Sequence, residues 1–432
     1  MKLLDVISAS TQESALSNRV QGPILIGLSG GADSIALLYA LLQLREKGIL
    51  ISAVHVNHRL RKSSIEDAEF CEALCMKLKV PLKIAAVNVS RTGSIEASAR
   101  QARYNAFYDT MKEINARTLA LAHHADDQAE TVLMHLFYGT GAKGLSGMQE
   151  YNDCIWRPLL NYRHAELVSA LQEIGQTWRE DETNDDTRYT RNYLRHRVLP
   201  SIENVFPEAV RAINRTAFVL HDENEWIQKK TDEWLSTHAS KSSFHFIEIS
   251  GLSTIHTALQ RRIMMTYAAN LGLSIEFSHV EQLRTAVECK KKVNLPCGWH
   301  AVATYQRLHF MPPHQEKVIW NKSAINIEPI DKDLGDGRLK QAIPADLLKK
   351  AVIRTRQAGD RIIPFGMKGS MKLKDYFIER GLDQPFRDSW PILCDGSNVL
   401  WVIGIGASQL LNIENREKAV MLHFIEKLPD SL

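Results

Sequence analysis

The sharpest chemical signal in the chain is the run Ser29-Gly30-Gly31-Ala32-Asp33-Ser34. It follows the short apolar stretch Ile24–Leu28 and precedes a helical pattern in which Ile35, Leu38 and Leu42 share a face. Two glycines let backbone approach a ligand closely. The helix start behind them offers unpaired N–H groups and a partial positive charge. Together they make an anion cradle suited to a pyrophosphate. The plain structural alternative is a strand-to-helix turn capped by Asp33 and Ser34. The chain has no G-x-x-x-x-G-K-S/T pattern and no Gly-Lys dipeptide, which argues against a P-loop handling a terminal phosphate.

Four further clusters could do chemistry. His123-His124-Ala125-Asp126-Asp127-Gln128-Ala129-Glu130-Thr131 stands at the carboxyl end of an expected strand, where open α/β sheets bind ligands. Its carboxylates could hold Mg²⁺ on phosphates, and Asp126 and Glu130, four apart, share a helix face. An acidic helix N-terminus with structural histidines is the alternative, and zinc is disfavoured because no cysteine lies nearby. Arg100, Arg103 and Phe107 fall near one helix face with Tyr104 at its edge, which suits a transferring phosphoryl group or a solvated basic surface. The acidic run Glu180–Asp186 is followed by Arg188 to Arg197, where four arginines, two tyrosines and a histidine would suit an RNA backbone with bases to stack, or more commonly just an exposed helix face. From Lys349 to Arg380, nine basic residues face three acids, a local excess of six positive charges that forms an electrostatic footprint for phosphates.

The elements that must position these residues are legible in outline. A length of 432 residues suggests about three domains at roughly 150 residues each. With 44% hydrophobic and 24% charged residues the chain is ordinarily globular, which excludes wholesale disorder, collagen and coiled coil. The net charge of +3 neither demands nor forbids a nucleic acid, so local clusters must decide. Over the first 140 residues strands at 24–28, 50–56, 82–89 and 118–123 alternate with helices at 34–44, 64–78, 95–114 and 125–138, the pattern of an open parallel sheet covered on both faces. A helical region follows, then a linker from Trp320 to Lys340 and a small α+β domain. The boundaries expected are 1–215, 216–318 and 319–432. Six scattered cysteines without C-x-x-C predict no disulfide partner. The uncharged run Gly396–Ile413 contains Asn398, Gly404, Gly406, Gln409 and Asn412, so it reads as strand-turn-strand rather than a membrane span. With no signal peptide expected, the chain reads as cytoplasmic with no membrane partner.

The pattern S-G-G-x-D-S resembles the PP-loop of the N-type ATP pyrophosphatases (adenine nucleotide α-hydrolase-like), which implies cleavage of ATP between its α and β phosphates. Taken with Glu96-Ala-Ser-Ala-Arg100, Arg103-Tyr104, His124–Thr131, Gly139–Met148 and Arg157–Leu160, the chain resembles the bacterial tRNA(Ile)-lysidine synthetases. Asp181–Asn184 with Arg191–Arg195 discriminates further, and Arg354–Arg361, Lys372–Asp375 and Arg387–Pro391 resemble that family's own C-terminal domain. Thr183 stands where the family leads us to expect Ser; the hydroxyl is kept.

The resemblance implies that the wobble cytidine of a CAU-anticodon tRNA(Ile) attacks the α-phosphate of ATP, and that free L-lysine then displaces AMP to form lysidine. It assigns nucleotide binding to Ser29, Gly30, Gly31, Ala32, Asp33, Ser34 and His124, and Mg²⁺ to Asp33 and Asp127. Arg100 or Arg103 would neutralise charge on the α-phosphate, and Asp127 or Glu130 would take the proton from the lysine amine, which is mostly protonated at neutral pH. The rivals are weaker. A PP-loop thiolase needs sulfur-carrying cysteines, and Cys71-x-x-x-Cys75 is remote from the loop in sequence. A glutamine-dependent amidating enzyme needs a glutaminase domain. A class I aminoacyl-tRNA synthetase needs a glycine that His55-Val-Asn-His58 lacks. A non-catalytic tRNA-binding module would not need the intact loop.

Overall fold

The computed structural model describes residues 3–15, 20, 22–57, 63–87, 95–180, 188–240, 245–313, 322–330, 334–413, 419–425 and 428. Thr183 and most of the acidic run, residues 181–187, lie outside these, as do His58 and residues 88–94. The chain divides into two compact units, Met1–Trp226 and Ile227–Leu432.

The first unit opens with α1 (Leu3–Ser14) and then alternates β1 (Ile24–Gly27), α2 (Ala32–Leu42), β2 (Ile51–Asn57), α3 (Ser63–Leu78), β3 (Leu82–Ala86), α4 (Ile95–Glu113), β4 (Thr118–Ala120) and α5 (Ala125–Tyr138). A single turn, α6 (Ala142–Leu145), leads to β5 (Tyr151–Asn152) and β6 (Ile155–Trp156). The strand order is β3-β2-β1-β4-β6-β5, parallel except for β5 against β6. The expected open parallel sheet is therefore present. Its central strand is apolar on both sides because both faces are covered. Ile24 and Ile26 join the core under α1 and α2, whereas Leu25 packs with Phe107 and Met111 of α4. Consecutive strands leave β1 in opposite directions, so β1 and β4 flank the topological switch point, where such sheets bind ligands.

The unit is completed by α7 (His164–Glu173), α8 (Thr190–Tyr193), a π-turn over Leu194–Val198, α9 (Leu199–Val205) and α10 (Ala209–His238), which belongs to the second unit from Ile227 onward. Ala125, Ala129 and Leu133 of α5 bury against Leu194, Leu199 and Val210. This packing fixes the segment 190–205 beside α5.

The second unit is helical at first, as expected, with α11 (Thr257–Asn270) and α12 (Phe277–Cys289). It also holds an antiparallel sheet absent from the sequence reading: β7 (Phe246–Glu248), β8 (Lys292–Asn294), β9 (His300–Ala303) and β10 (Arg307–Met311), in the order β7-β10-β9-β8. Strands of three to five residues give too few alternations to register as a period. The expected linker from Trp320 to Lys340 is corrected in part. Ile325–Pro329 form β11, which pairs with β19 (Ala419–Phe424), itself paired with β12 (Lys340–Pro344).

The remainder is the small α+β domain: α13 (Ala345–Lys350), β13 (Val352–Arg354), β14 (Arg361–Ile362), β15 (Met371–Lys372), α14 (Leu373–Glu379), β16 (Ile392–Asp395), β17 (Asn398–Val402) and β18 (Gly406–Ala407). The uncharged run 396–413 is indeed strand-turn-strand, with β18 folding back on β17. Among the described residues no helix is long and apolar enough to cross a membrane.

Candidate active site

The loop after β1 is built around one serine. Ser34 Oγ accepts hydrogen bonds from the Ser29 and Gly30 N–H groups, each at 3.2 Å, and donates to Gly31 O at 2.9 Å. Gly31 stands at the N-cap of α2 in extended conformation, and no side chain caps the helix, leaving its amino end open to an anion. The capping alternative for Asp33 and Ser34 is thus absent from the geometry. Gly30 is held at φ +93°, and a Cβ there would meet Cys71 Sγ at 3.3 Å, so this position needs glycine. Its carbonyl accepts from Arg179 N at 2.9 Å, and Arg179 is in turn tied to Glu66 and Asp67.

Across the switch point, His124 forms the N-cap of α5. Its Nδ1 accepts from the Asp126 and Asp127 N–H groups at 3.2 and 3.4 Å, while Asp127 Oδ2 accepts from the His124 N–H at 3.2 Å. That reciprocal cap aims His124 Nε2 between two carboxylates, Asp127 Oδ2 at 3.3 Å and Asp33 Oδ2 at 3.6 Å. Asp33 and Asp127, nearly a hundred residues apart in sequence, both come within 4 Å of that one ring nitrogen. His164 Nδ1 lies 2.7 Å from Asp33 Oδ1, and Asp33, His124 and His164 offer ligand atoms within 4.8 Å of one another. Burial opposes charge on His124, but Asp126, Asp127 and Asp33 outweigh it and raise its pKa.

Asp126 and Glu130, four apart on α5, serve different partners. Asp126 accepts from Arg163 Nε at 2.7 Å and the His164 N–H at 2.8 Å. Burial would raise its pKa, yet His124, the His164 N–H and Arg163 pull it below the usual carboxylate range. Glu130 is fully buried, and both its oxygens accept from guanidinium groups: Arg191 Nε at 2.7 Å, Arg195 Nε at 2.6 Å and Arg195 Nη2 at 3.0 Å. The same arginines reach Asp127 Oδ1 at 3.0 and 2.9 Å. Burial again opposes ionisation of Asp127, but His124 and Arg191 lower its pKa. Arg191 and Arg195, assigned from sequence to an RNA backbone, instead turn inward to clamp the acids of α5.

On α4, Arg100 and Arg103 are both exposed. Arg100 lies 5.1 Å over the Tyr104 ring and donates to its hydroxyl at 3.4 Å. Burial, followed by Arg157, Arg191 and Arg100, drives the pKa of His123 down to about 4 against the opposing pull of Asp127. Arg100 is therefore electrostatically coupled to the switch point.

Sequence reasoning missed Arg163 and His164. They stand at the start of α7 with nothing around them that marks a site, and only tertiary packing brings them to Asp33 and Asp126. Cys71, judged remote from the loop in sequence, lies against Gly30, but it is fully buried and its thiol is pushed up to about 12, chiefly by burial. It is a packing thiol and not a sulfur carrier. His55, part of the superficial synthetase signature, is buried with Nδ1 2.9 Å from Leu28 O, a structural contact. In the second unit, Arg354 binds both oxygens of Asp360 at 2.8 Å, and the Gln357 N–H donates to the same carboxylate at 2.7 Å. These motif residues staple a loop.

Comparison with known proteins agrees with this layout. The PP-loop domain family matches residues 4–202, and the family described as TilS substrate C-terminal domain matches residues 351–424. The tRNA(Ile)-lysidine synthase of Caldanaerobacter subterraneus subsp. tengcongensis is 30% identical over 438 residues, covering 94% of each chain. Those of Porphyromonas gingivalis and Bacillus subtilis are each 32% identical, covering 96% of both chains and 92% and 93% of this chain and theirs respectively.

Proposed function

Because the chain belongs to the tRNA(Ile)-lysidine synthase family, we propose that it ligates free L-lysine to C2 of the wobble cytidine of a CAU-anticodon tRNA(Ile), using ATP. The observation that carries the ATP chemistry is the uncapped amino end of α2 behind Ser29–Ser34, with Asp33 and Asp127 each within 4 Å of His124 Nε2 at the switch point.

The reaction divides into two displacements. Cytosine O2 attacks the α-phosphate and pyrophosphate leaves, turning a poor leaving oxygen into a good one. The lysine amine then attacks C2, AMP departs with the C2–O bond electrons, and one amine proton is lost. The loop N–H groups, released from Ser34, and the amino end of α2 would receive phosphate oxygens. Arg100 or Arg103 would oppose charge on the α-phosphate.

The donor set fits a divalent cation. Asp33 offers an oxygen ligand of the kind Mg²⁺ prefers, in a group with His124 and His164, and Asp127 beside His124 would add a second. When bound, Mg²⁺ would neutralise the phosphates. Glu130 accepts from Arg191 and Arg195 through both oxygens and Asp127 shares the same arginines; Asp127 or Glu130 would take the proton from the amine. We assign tRNA binding to 216–318 and the basic 319–432, and a cytoplasmic location.

The test is to incubate the full chain with ATP, radiolabelled lysine and CAU-anticodon tRNA(Ile), then apply mild alkali. Label that survives marks a C–N bond to the base. Label lost as an aminoacyl ester, or none incorporated, contradicts the proposal. Asp33→Ala and Asp127→Ala should each abolish pyrophosphate release while leaving tRNA binding; turnover at the normal rate would refute their assignment.

A further inference from the structure

The segment that clamps the acids of α5 has a second face. Arg191, Leu194 and Arg195 point inward, to Glu130, Asp127 and the small core around Ala129. Tyr189 and Tyr193 point outward, 50% and 51% exposed. The Tyr193 N–H donates to Tyr189 O at 2.9 Å, which places the two residues one turn apart along the segment, Tyr189 as its extended N-cap. Arg197 is exposed and forms no ion pair among the described residues. Beyond it lies an open groove of about 520 Å³ lined by Tyr193, Arg197, Ser201, Ile202, Val205 and Phe206. Val205 and Phe206 are 69% and 65% exposed. The π-turn at Leu194–Val198 sits in the middle, and such insertions are frequent at functional sites.

Two exposed phenol rings, a guanidinium and an apolar groove, with the neighbouring acid Glu203 already paired to Arg163, favour a ligand that is anionic and flat. Unpaired nucleotides have both properties. Each base offers a face to a tyrosine ring and each phosphate a partner to arginine. We propose that Tyr189, Tyr193 and Arg197, with the groove beyond them, form a stacking shelf for unpaired anticodon-loop bases of the RNA. The inference deepens the reading under "Proposed function" and rests on it. The shelf and the clamp are opposite sides of one helical segment, so loop bases held outside lie one helix thickness from Asp127.

The experiment uses the full chain and an anticodon stem-loop RNA with 2-aminopurine replacing a loop base. Binding to wild type should quench the fluorophore by stacking. Tyr189→Ala and Tyr193→Ala should each weaken binding by roughly 5- to 150-fold, the range of one base–aromatic stack, and reduce the quench. Tyr193→Phe, which keeps the ring, should restore both. Arg197→Ala should flatten the slope of log affinity against log salt by about 0.7. ATP-analogue binding without RNA should be unchanged in every variant. If wild type binds the stem-loop and forms lysidine while the double tyrosine variant binds within twofold of it, the shelf is refuted and the function stands. If wild type neither binds the stem-loop nor forms lysidine, the function itself fails. A dimer in solution that Tyr193→Ala dissociates would assign the face to a second copy of the chain and overturn the shelf.

Discussion

His123 shows how single groups in this site are tuned. Burial and three arginines depress its pKa to about 4, against an unfolded value near 6.5. Between those values the unfolded chain holds more protons, so stability rises with pH. The contribution is complete above about pH 6.5 and is lost as pH falls towards 4. The lowered pKa values of Asp126 and Asp127 extend the loss at more acid pH, since stability from a depressed carboxylate disappears as it protonates. His124, raised by its carboxylate neighbours, works the other way: its contribution is present at low pH and fades as pH rises through its folded value. The protein should therefore lose stability between pH 7 and 4, with at most about 3 kcal/mol traceable to His123. His123→Gln should flatten that part of the profile in denaturant melts taken at each pH. Parallel profiles for variant and wild type would contradict the attribution.

At the scale of elements, the site is a strand–loop–helix unit facing the start of α5. Gly30 carries the most demanding backbone, so Gly30→Ala should cost about 1–3 kcal/mol of stability from strain at positive φ. It should also weaken ATP-analogue binding, because the loop N–H groups would be displaced. Unchanged melting and binding would show that the loop relaxes freely. Strands β1–β4 and helices α2–α5 are legible because each strand is a short apolar run and each helix has a punctuated start, whereas α1 and the two-residue β5 and β6 are not. The span Ala125–Tyr138 was read to the residue, since His124 and the acids behind it form its cap. What escaped were contacts made by tertiary packing. Arg163 and His164 precede an ordinary amphipathic helix, and no local pattern reports that they reach Asp126 and Asp33. Arg191 and Arg195 were visible as charge, but which way a charged helix faces is decided by the apolar side chains beside it, here Leu194 and Leu199 against α5. The short strands of the second unit escaped for a different reason, since three residues do not make a period.

For the molecule as a whole, the +6 cluster at 349–380 must be discounted before it is used. Arg354 and Arg356 are paired with Asp360 and Asp388, while Lys368, Lys372 and Lys374 stand exposed. Removing everything beyond residue 319 would also strip Asp383 and Phe386 from the buried His309, so truncation would confound charge with packing. Replacing the three lysines with alanine is the cleaner change. It should weaken binding of whole tRNA and lower its salt slope by about 0.9 for each lysine that meets a phosphate. An unaltered slope would remove this surface from the interface. The central claim is that the loop at Ser29–Ser34 transfers adenylate to RNA rather than a terminal phosphoryl group. The direct measurement is to identify the nucleotide products formed by the full chain from α-labelled ATP with lysine and CAU-anticodon tRNA(Ile). AMP and pyrophosphate, each in equal amount to the lysine incorporated, are expected; ADP and orthophosphate would contradict the account.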